Sequence, residues 1–215
     1  MELNLSRCRF FDLGLIDYPT AYNFQKEIFL KVNNGQLYSS VIFCEHYPVI
    51  TVGRSAKREI SFFIKEEEIK NRDIPIYFVE RGGSLTYHGP GQLVIYFIFN
   101  LVYFNKDIHY FLRWLEDLGI EFLRGFKISA IRYPGYTGVW INSKKIVSIG
   151  IAIKNWISFH GISINIKNSI LENFKLIKPC GMDITMTSLE EILKKELSFI
   201  EVKEKFLSFL KNKRR

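Results

Sequence analysis

Three stretches of the chain carry residue types that do chemistry. The densest is Arg81-Gly82-Gly83-Ser84-Leu85-Thr86-Tyr87-His88-Gly89-Pro90-Gly91-Gln92. Four glycines and a proline in so short a span do not fit strand propensity. Glycine permits positive φ and lets backbone N–H groups come close to a ligand, so such a loop can turn several donors toward one anion or carbonyl oxygen. Arg81, Thr86 and His88 add polar groups able to orient a substrate. A wide turn that serves geometry alone has the same composition. No Gly-Lys-Ser/Thr follows, so a Walker A phosphate cradle is not supported.

The second stretch is Lys178-Pro179-Cys180-Gly181-Met182. A cysteine between proline and glycine sits in a turn where its thiol is reachable, whereas Cys44 lies in an apolar strand pattern and reads as core. Free cysteine is often inert packing, and by itself Cys180 fits either role. The third stretch is a pair of strands, Lys144 to Gly150 and Phe159 to Asn165. Alternation from Lys145 puts it on one face with Val147 and Ile149, in an apolar environment, and turns Lys144 to water. A partly desolvated lysine has a lowered pKa and exchanges protons near neutrality, while a snorkelling surface lysine fits the same spacing.

The elements that must position these residues are legible in the apolar spacing. Ala21, Phe24, Ile28 and Val32 recur at helical intervals between Asp17 and Gly35. A second helix is expected from Asp107, its cap, to Phe122, with Ile108, Phe111, Leu115 and Leu118 on its face. Strands are expected at 40–44, 49–53 and 74–79, and the nearly all-apolar run 92–101 reads as a strand covered on both faces, in the middle of a sheet. Segments 137–141, 145–154 and 158–166, joined at Asn142-Ser143 and Asn155, read as an antiparallel meander. Ser188 and Glu191 have capping-box spacing before a short helix, and a last helix carries Val202, Phe206, Phe209 and Leu210. No repeat or Gly/Ser linker divides residues 1–215, so one domain of α+β class is expected, a mixed and largely antiparallel sheet flanked by helices.

With 47% hydrophobic and 24% charged residues, the chain has the composition of a soluble globular protein. The opening residues lack a continuous apolar h-region, and no apolar run reaches membrane-spanning length, which points to a cytoplasmic protein. Three cysteines without a close pair suggest reduced thiols and neither a disulfide framework nor a zinc knuckle. The net charge of +8 favours an acidic partner, though biased base composition would produce the same excess of lysine.

Taken together, the motifs resemble the lipoyl(octanoyl) transferase family. The shared pattern runs from Asp12-Leu13-Gly14-Leu15-Ile16-Asp17-Tyr18 through Glu45 to Gly53, the loop Arg81 to Gln92, Thr137-Gly138-Val139-Trp140, Lys144 to Gly150 and Phe159 to Asn165, and ends at Pro179-Cys180-Gly181. The resemblance implies a fold like that of the biotin protein ligase and lipoate ligase catalytic domains. It implies a catalytic dyad of Cys180 and Lys145, with the acyl donor held by Arg81, Gly82, Gly83, Ser84, Leu85, Thr86, Tyr87 and His88, by Ser148, Ile149 and Gly150, and by Gly161, Ile162 and Ser163. The implied donor is octanoyl-acyl carrier protein. The implied acceptors are lipoyl domains of 2-oxoacid dehydrogenase complexes or the glycine cleavage H protein, with no cofactor, metal, nucleic acid or membrane. Amides near Gly82, Gly83 or the Cys180 turn are the candidate donors to the oxyanion of that reaction.

The rival within the same fold is an ATP-dependent lipoate or biotin ligase, against which Pro179-Cys180-Gly181 argues. A nucleic-acid binder would need aromatics in a basic stripe, and here they fall on core-like repeats. A zinc site from His46, His88, His160 and Cys180 matches no ligand spacing. His46 and His109 stay open between packing and function.

Overall fold

The computed structural model describes residues 4–56, 66–177 and 184–213. Strand β1 (Arg9–Ile16) is followed by helix α1 (Tyr18–Asn33), which begins where Asp17 accepts the Thr20 N–H at 2.9 Å. Ala21, Ile28 and Val32 form its buried stripe. Then come β2 (Ser39–His46), β3 (Val49–Val52), α2 (Glu66–Asn71), β4 (Ile76–Phe78), β5 (Leu85–His88) and β6 (Gln92–Phe99). Asp107 caps α3 (Ile108–Arg124) through the Tyr110 N–H, and Phe111, Leu115, Leu118 and Phe122 are buried along it. The expected meander is β8 (Tyr136–Ile141), β9 (Lys144–Lys154) and β10 (Ile157–Asn165), preceded by the short β7 (Ile131–Tyr133). Asn142 and Asn155 take φ of 54° and 53° at its two turns, a conformation asparagine tolerates. The chain continues through α4 (Ser169–Phe174), α5 (Leu189–Leu193), capped by Ser188 as its spacing predicts, and α6 (Phe199–Asn212).

The strands form two sheets. The larger has the order β1-β2-β6-β10-β9-β8-β7, with β1 parallel to β2 and every other pairing antiparallel. The smaller has the order β4-β3-β5. Strand β6 is buried at every position because both faces of the large sheet are covered there. On one face Phe43, Leu93, Ile95, Phe97 and Ile164 pack with α3 and α6 through Leu115, Phe122, Phe206 and Leu210. On the other, Ile42, Cys44, Val94, Tyr96 and Ile98 meet Ala21, Ile28 and Val32 of α1. The small sheet has its own core of Ile50, Val52, Leu85 and Tyr87 against Ile170 and Phe174. Among the described residues no helix is long and apolar enough to cross a membrane.

Candidate active site

The glycine-rich loop is half strand. Residues 85–88 form β5, paired with β3, so that Thr51 faces Thr86 and Val49 faces His88. Pleating then sends Leu85 and Tyr87 into the small-sheet core, opposite to Thr86 and His88, with the Tyr87 ring 6.0 Å from that of Phe174. Tyr87 is thus not brought to the site with its neighbours.

Arg81 is buried, and its guanidinium is bonded within the protein. It donates to the Thr51 carbonyl at 2.7 Å, to Thr51 Oγ1 at 2.8 and 3.3 Å, and to the Gly82 and Ser84 carbonyls at 3.0 Å each. Its planar fork therefore staples the loop to β3 while the side chain lines the cavity below. Gly53 lets the loop close: a Cβ there would overlap the Gly83 carbonyl oxygen and lie 2.7 Å from Arg81 Nη1. The Gly82 N–H donates to the Ile151 carbonyl of β9 at 2.9 Å, so it is not the oxyanion donor proposed for it. The Gly83 N–H has no partner among the described residues.

Under the loop lies a narrow cavity of about 60 Å³. Every predicted position from Arg81 to His88 except Tyr87 lines it, together with Lys145, Ser148, Ile149, Gly150, Gly161, Ile162 and Ser163. Register explains the convergence. Val94, Ser163 and Ser148 stand in line across β6, β10 and β9, as do Tyr96, Gly161 and Gly150. The cavity adjoins a wider groove of about 660 Å³, between the loop, the N-terminal turns of α3 and the β7–β8 turn. Lys145, Ile149, Gly150 and residues 82–84 line both spaces.

Lys145 reaches this junction through a β-bulge. Val139 pairs with Val147 and Trp140 with Lys145, so β9 holds one extra residue opposite β8. Alternation is broken there, and Lys145 does not share the face of Val147 and Ile149. It stands on the Trp140 side, its Nζ 5.4 Å from the indole centroid. It is 6% exposed, whereas Lys144 points outward to Glu191 at 2.9 Å. The Lys145 backbone is held by an isolated bridge to Met186: its N–H donates to the Thr185 carbonyl, and the Thr187 N–H donates back to its carbonyl, at 2.8 and 2.9 Å. Cys180 and the rest of 178–183 lie outside the described residues.

The histidines divide by their partners. His46 is a packing residue, donating from Nδ1 to the Ile16 carbonyl at 3.0 Å and accepting the Tyr96 hydroxyl on Nε2 at 2.6 Å. His109 is exposed on α3. His88 has a fixed tautomer. The Thr187 carbonyl can only accept, so Asn165 donates to it from Nδ2 at 3.0 Å and turns Oδ1 to Gln92 Nε2 at 2.9 Å. Gln92 must then present Oε1 to His88 Nδ1 at 2.6 Å, which leaves Nε2 as the acceptor nitrogen of a neutral imidazole. Burial, then the neighbouring His46, holds the His88 pKa down at about 3.

His160 was not among the predicted site residues, yet it lines the cavity with a buried Nε2 that has no hydrogen-bond partner. Its ring stacks on Tyr22, and burial lowers its pKa. Glu80 Oε2 stands 3.9 Å from it, an ion-pair distance and too long for a hydrogen bond. The nearby His160 ring, then the Tyr22 hydroxyl, hold the Glu80 carboxyl down at about 2. Tyr18, Thr51, Val94 and Tyr96 also line the cavity unpredicted. Val94 and Tyr96 belong to a strand buried on both faces, where period-two spacing carries no signal.

The lipoyl protein ligase A/B catalytic domain model matches residues 17–211. The octanoyltransferase of Cytophaga hutchinsonii is 39% identical over 219 residues, covering 93% of this chain and 89% of that protein. The octanoyltransferase of a Thermoanaerobacter species is 40% identical over 181 residues, covering 84% and 78%. Among solved structures, the bipartite lipoate protein ligase of Thermoplasma acidophilum, studied with its E2 lipoyl domain, superposes with a TM-score of 0.71 over 94% of this chain and 81% of that one. At 14% identity that likeness shows the fold alone.

Proposed function

The chain belongs to the lipoyl protein ligase A/B catalytic-domain family and is an acyltransferase, and on that footing we propose that it moves an octanoyl group from acyl carrier protein to a lysine of a lipoyl domain through a thioester on Cys180. The observation that carries this reading is the position of Lys145. It is a buried amine at the junction of a narrow cavity and a wide groove, its backbone braced by a single bridge to the segment Thr185–Thr187. Thr185 follows Cys180 by five positions, so chain connectivity keeps the two Cα atoms within about 18 Å.

The chemistry suits that arrangement. The Cys180 thiolate, its proton held on Lys145, attacks the donor's thioester carbonyl; the new C–S bond forms, the old one breaks, and the carrier's sulfur leaves as a thiol with the proton from the Lys145 ammonium. This exchange is close to isoenergetic and consumes no ATP. The acceptor lysine, as a free amine, then attacks the acyl-enzyme; a C–N bond forms, the Cys180 sulfur departs, and Lys145 takes up the amine's proton. The Gly83 N–H is the loop donor that remains for the oxyanion. The other two cysteines are poor nucleophiles: burial pushes the Cys8 thiol up to about 12 and the Cys44 thiol well above its ordinary value.

The test is transfer to a purified lipoyl domain, read as octanoylation of the acceptor by mass. Octanoyl-carrier protein without ATP should suffice, and Cys180→Ser should abolish transfer. Octanoylation from free octanoate that needs ATP and survives Cys180→Ser would instead make the protein a ligase.

A further inference from the structure

Lys145 is aimed by a device that begins on the far side of β8. Helix α3 approaches β8 and β9 closely at Gly119, where a Cβ would lie 3.0 Å from Val139 Cγ2 and 3.5 Å from Val147 Cγ2. Three residues earlier, on the same helix face, Glu116 is fully buried. One carboxylate oxygen receives Arg113 Nη1 at 2.5 Å and Arg132 Nε at 3.0 Å. The other receives the Gly138 N–H at 3.1 Å.

That last bond is unusual for a strand. Gly138 falls outside the registers of both ladders of β8, so its amide is bound by a side chain from the helix. Its φ is +134°, a backbone open to glycine and strained for any residue with a Cβ. The Lys145 side chain lies across the space this leaves. A Cβ on Gly138 would overlap Lys145 Cε, lie 3.1 Å from Nζ, and come within 2.7 Å of the Val147 carbonyl oxygen.

We infer that Glu116 is a positioning residue for Lys145: its arginine-braced carboxylate fixes Gly138 in a conformation without a Cβ, and the lysine stem is laid over that glycine toward the junction of cavity and groove. Glu116 touches neither Lys145 Nζ in this chain of contacts nor the reacting atoms, so its effect passes through the backbone of β8. The inference rests on the Cys180–Lys145 reading.

The experiment follows the thiolate. The rate of iodoacetamide alkylation of Cys180 is measured against pH by peptide mass spectrometry on the full-length protein, for wild type, Lys145→Ala, Gly138→Ala, Glu116→Gln and Arg132→Gln. Circular dichroism establishes which variants are folded. Lys145→Ala should move the alkylation midpoint to that of an ordinary thiol, near 8.5. Gly138→Ala should move it as far, and Glu116→Gln should move it in the same direction by a smaller amount. Arg132→Gln changes a partly exposed side chain and should also move it, since Glu116 loses a brace. If Lys145→Ala leaves the midpoint alone, the dyad reading fails. If Lys145→Ala moves it while the folded variants at 116 and 132 keep the wild-type midpoint, the positioning role of Glu116 is overturned, whatever Gly138→Ala does.

Discussion

At the scale of single residues, the site separates groups that hold geometry from groups that can exchange protons. His88 belongs to the first kind, because a pKa near 3 leaves its imidazole neutral and a poor base across the physiological range. This has a consequence for stability. The unfolded histidine titrates near pH 6.5, so below that value the unfolded state takes up a proton that the folded state refuses. The contribution of a neutral His88 is therefore complete above about pH 6.5 and is lost as pH falls toward 3, at up to about 1.4 kcal/mol per pH unit. His46 and His160, lowered by burial, act in the same direction. Urea unfolding should show stability falling by at least about 2 kcal/mol between pH 7 and pH 5; a flat profile would mean that the imidazole is not held neutral. The proposed mechanism puts Lys145 in the second kind. Lys145→Met should lower the turnover rate by about 10²- to 10⁴-fold, the range of general acid–base contributions, with the melting temperature little changed. Wild-type turnover in that variant would remove the lysine from the chemistry. Cys180 and the loop were visible in the sequence because glycine and proline flank them. The aim of Lys145 was not, since one inserted residue in β9 leaves no mark on the alternation pattern.

At the scale of elements, the loop is held by the β3–β5 ladder and, at its 81–84 end, by the Arg81 guanidinium. Replacing Arg81 with lysine keeps the charge and loses the fork, so that one ammonium must serve the Thr51 carbonyl, Thr51 Oγ1 and the Gly82 carbonyl in place of three guanidinium nitrogens. Each buried unsatisfied carbonyl costs about 1–3 kcal/mol, so Arg81→Lys should lose at least about 3 kcal/mol in chemical denaturation and most of its activity. A fully stable variant would show that the staple is dispensable. The narrow cavity should also set chain length: each methylene removed from the donor acyl group should lower kcat/KM about fourfold, the equivalent of about 0.8 kcal/mol. Equal rates for hexanoyl and octanoyl donors would place the chain elsewhere. The longer helices, the short helix capped by Ser188 and the meander were legible because caps and periodicity are local signals; the six-residue helices α2 and α4 were not expected. Strand β1 was not, because Arg9–Ile16 is only partly covered and its charges interrupt the pattern. Strand β5 was hidden inside a segment whose glycines speak for a loop.

At the scale of the whole molecule, the α+β class followed from the element types, whereas the division into two sheets and the strand order depend on contacts between distant segments that no local pattern records. Family membership was legible because its motifs are spread over nearly the whole chain. The net charge of +8 predicts that docking of an acidic carrier is steered electrostatically. Raising the salt concentration should then lower kcat/KM for octanoyl-carrier protein while leaving a small uncharged thioester donor unaffected; equal salt responses would assign the charge no part in docking. The central claim is covalent, and intact-protein mass spectrometry tests it most directly. Mixing the enzyme with octanoyl-carrier protein should add one octanoyl group that hydroxylamine removes and that Cys180→Ser never acquires. An adduct that persists in Cys180→Ser, or transfer to the lipoyl domain with no adduct in rapid-quench samples, would contradict it.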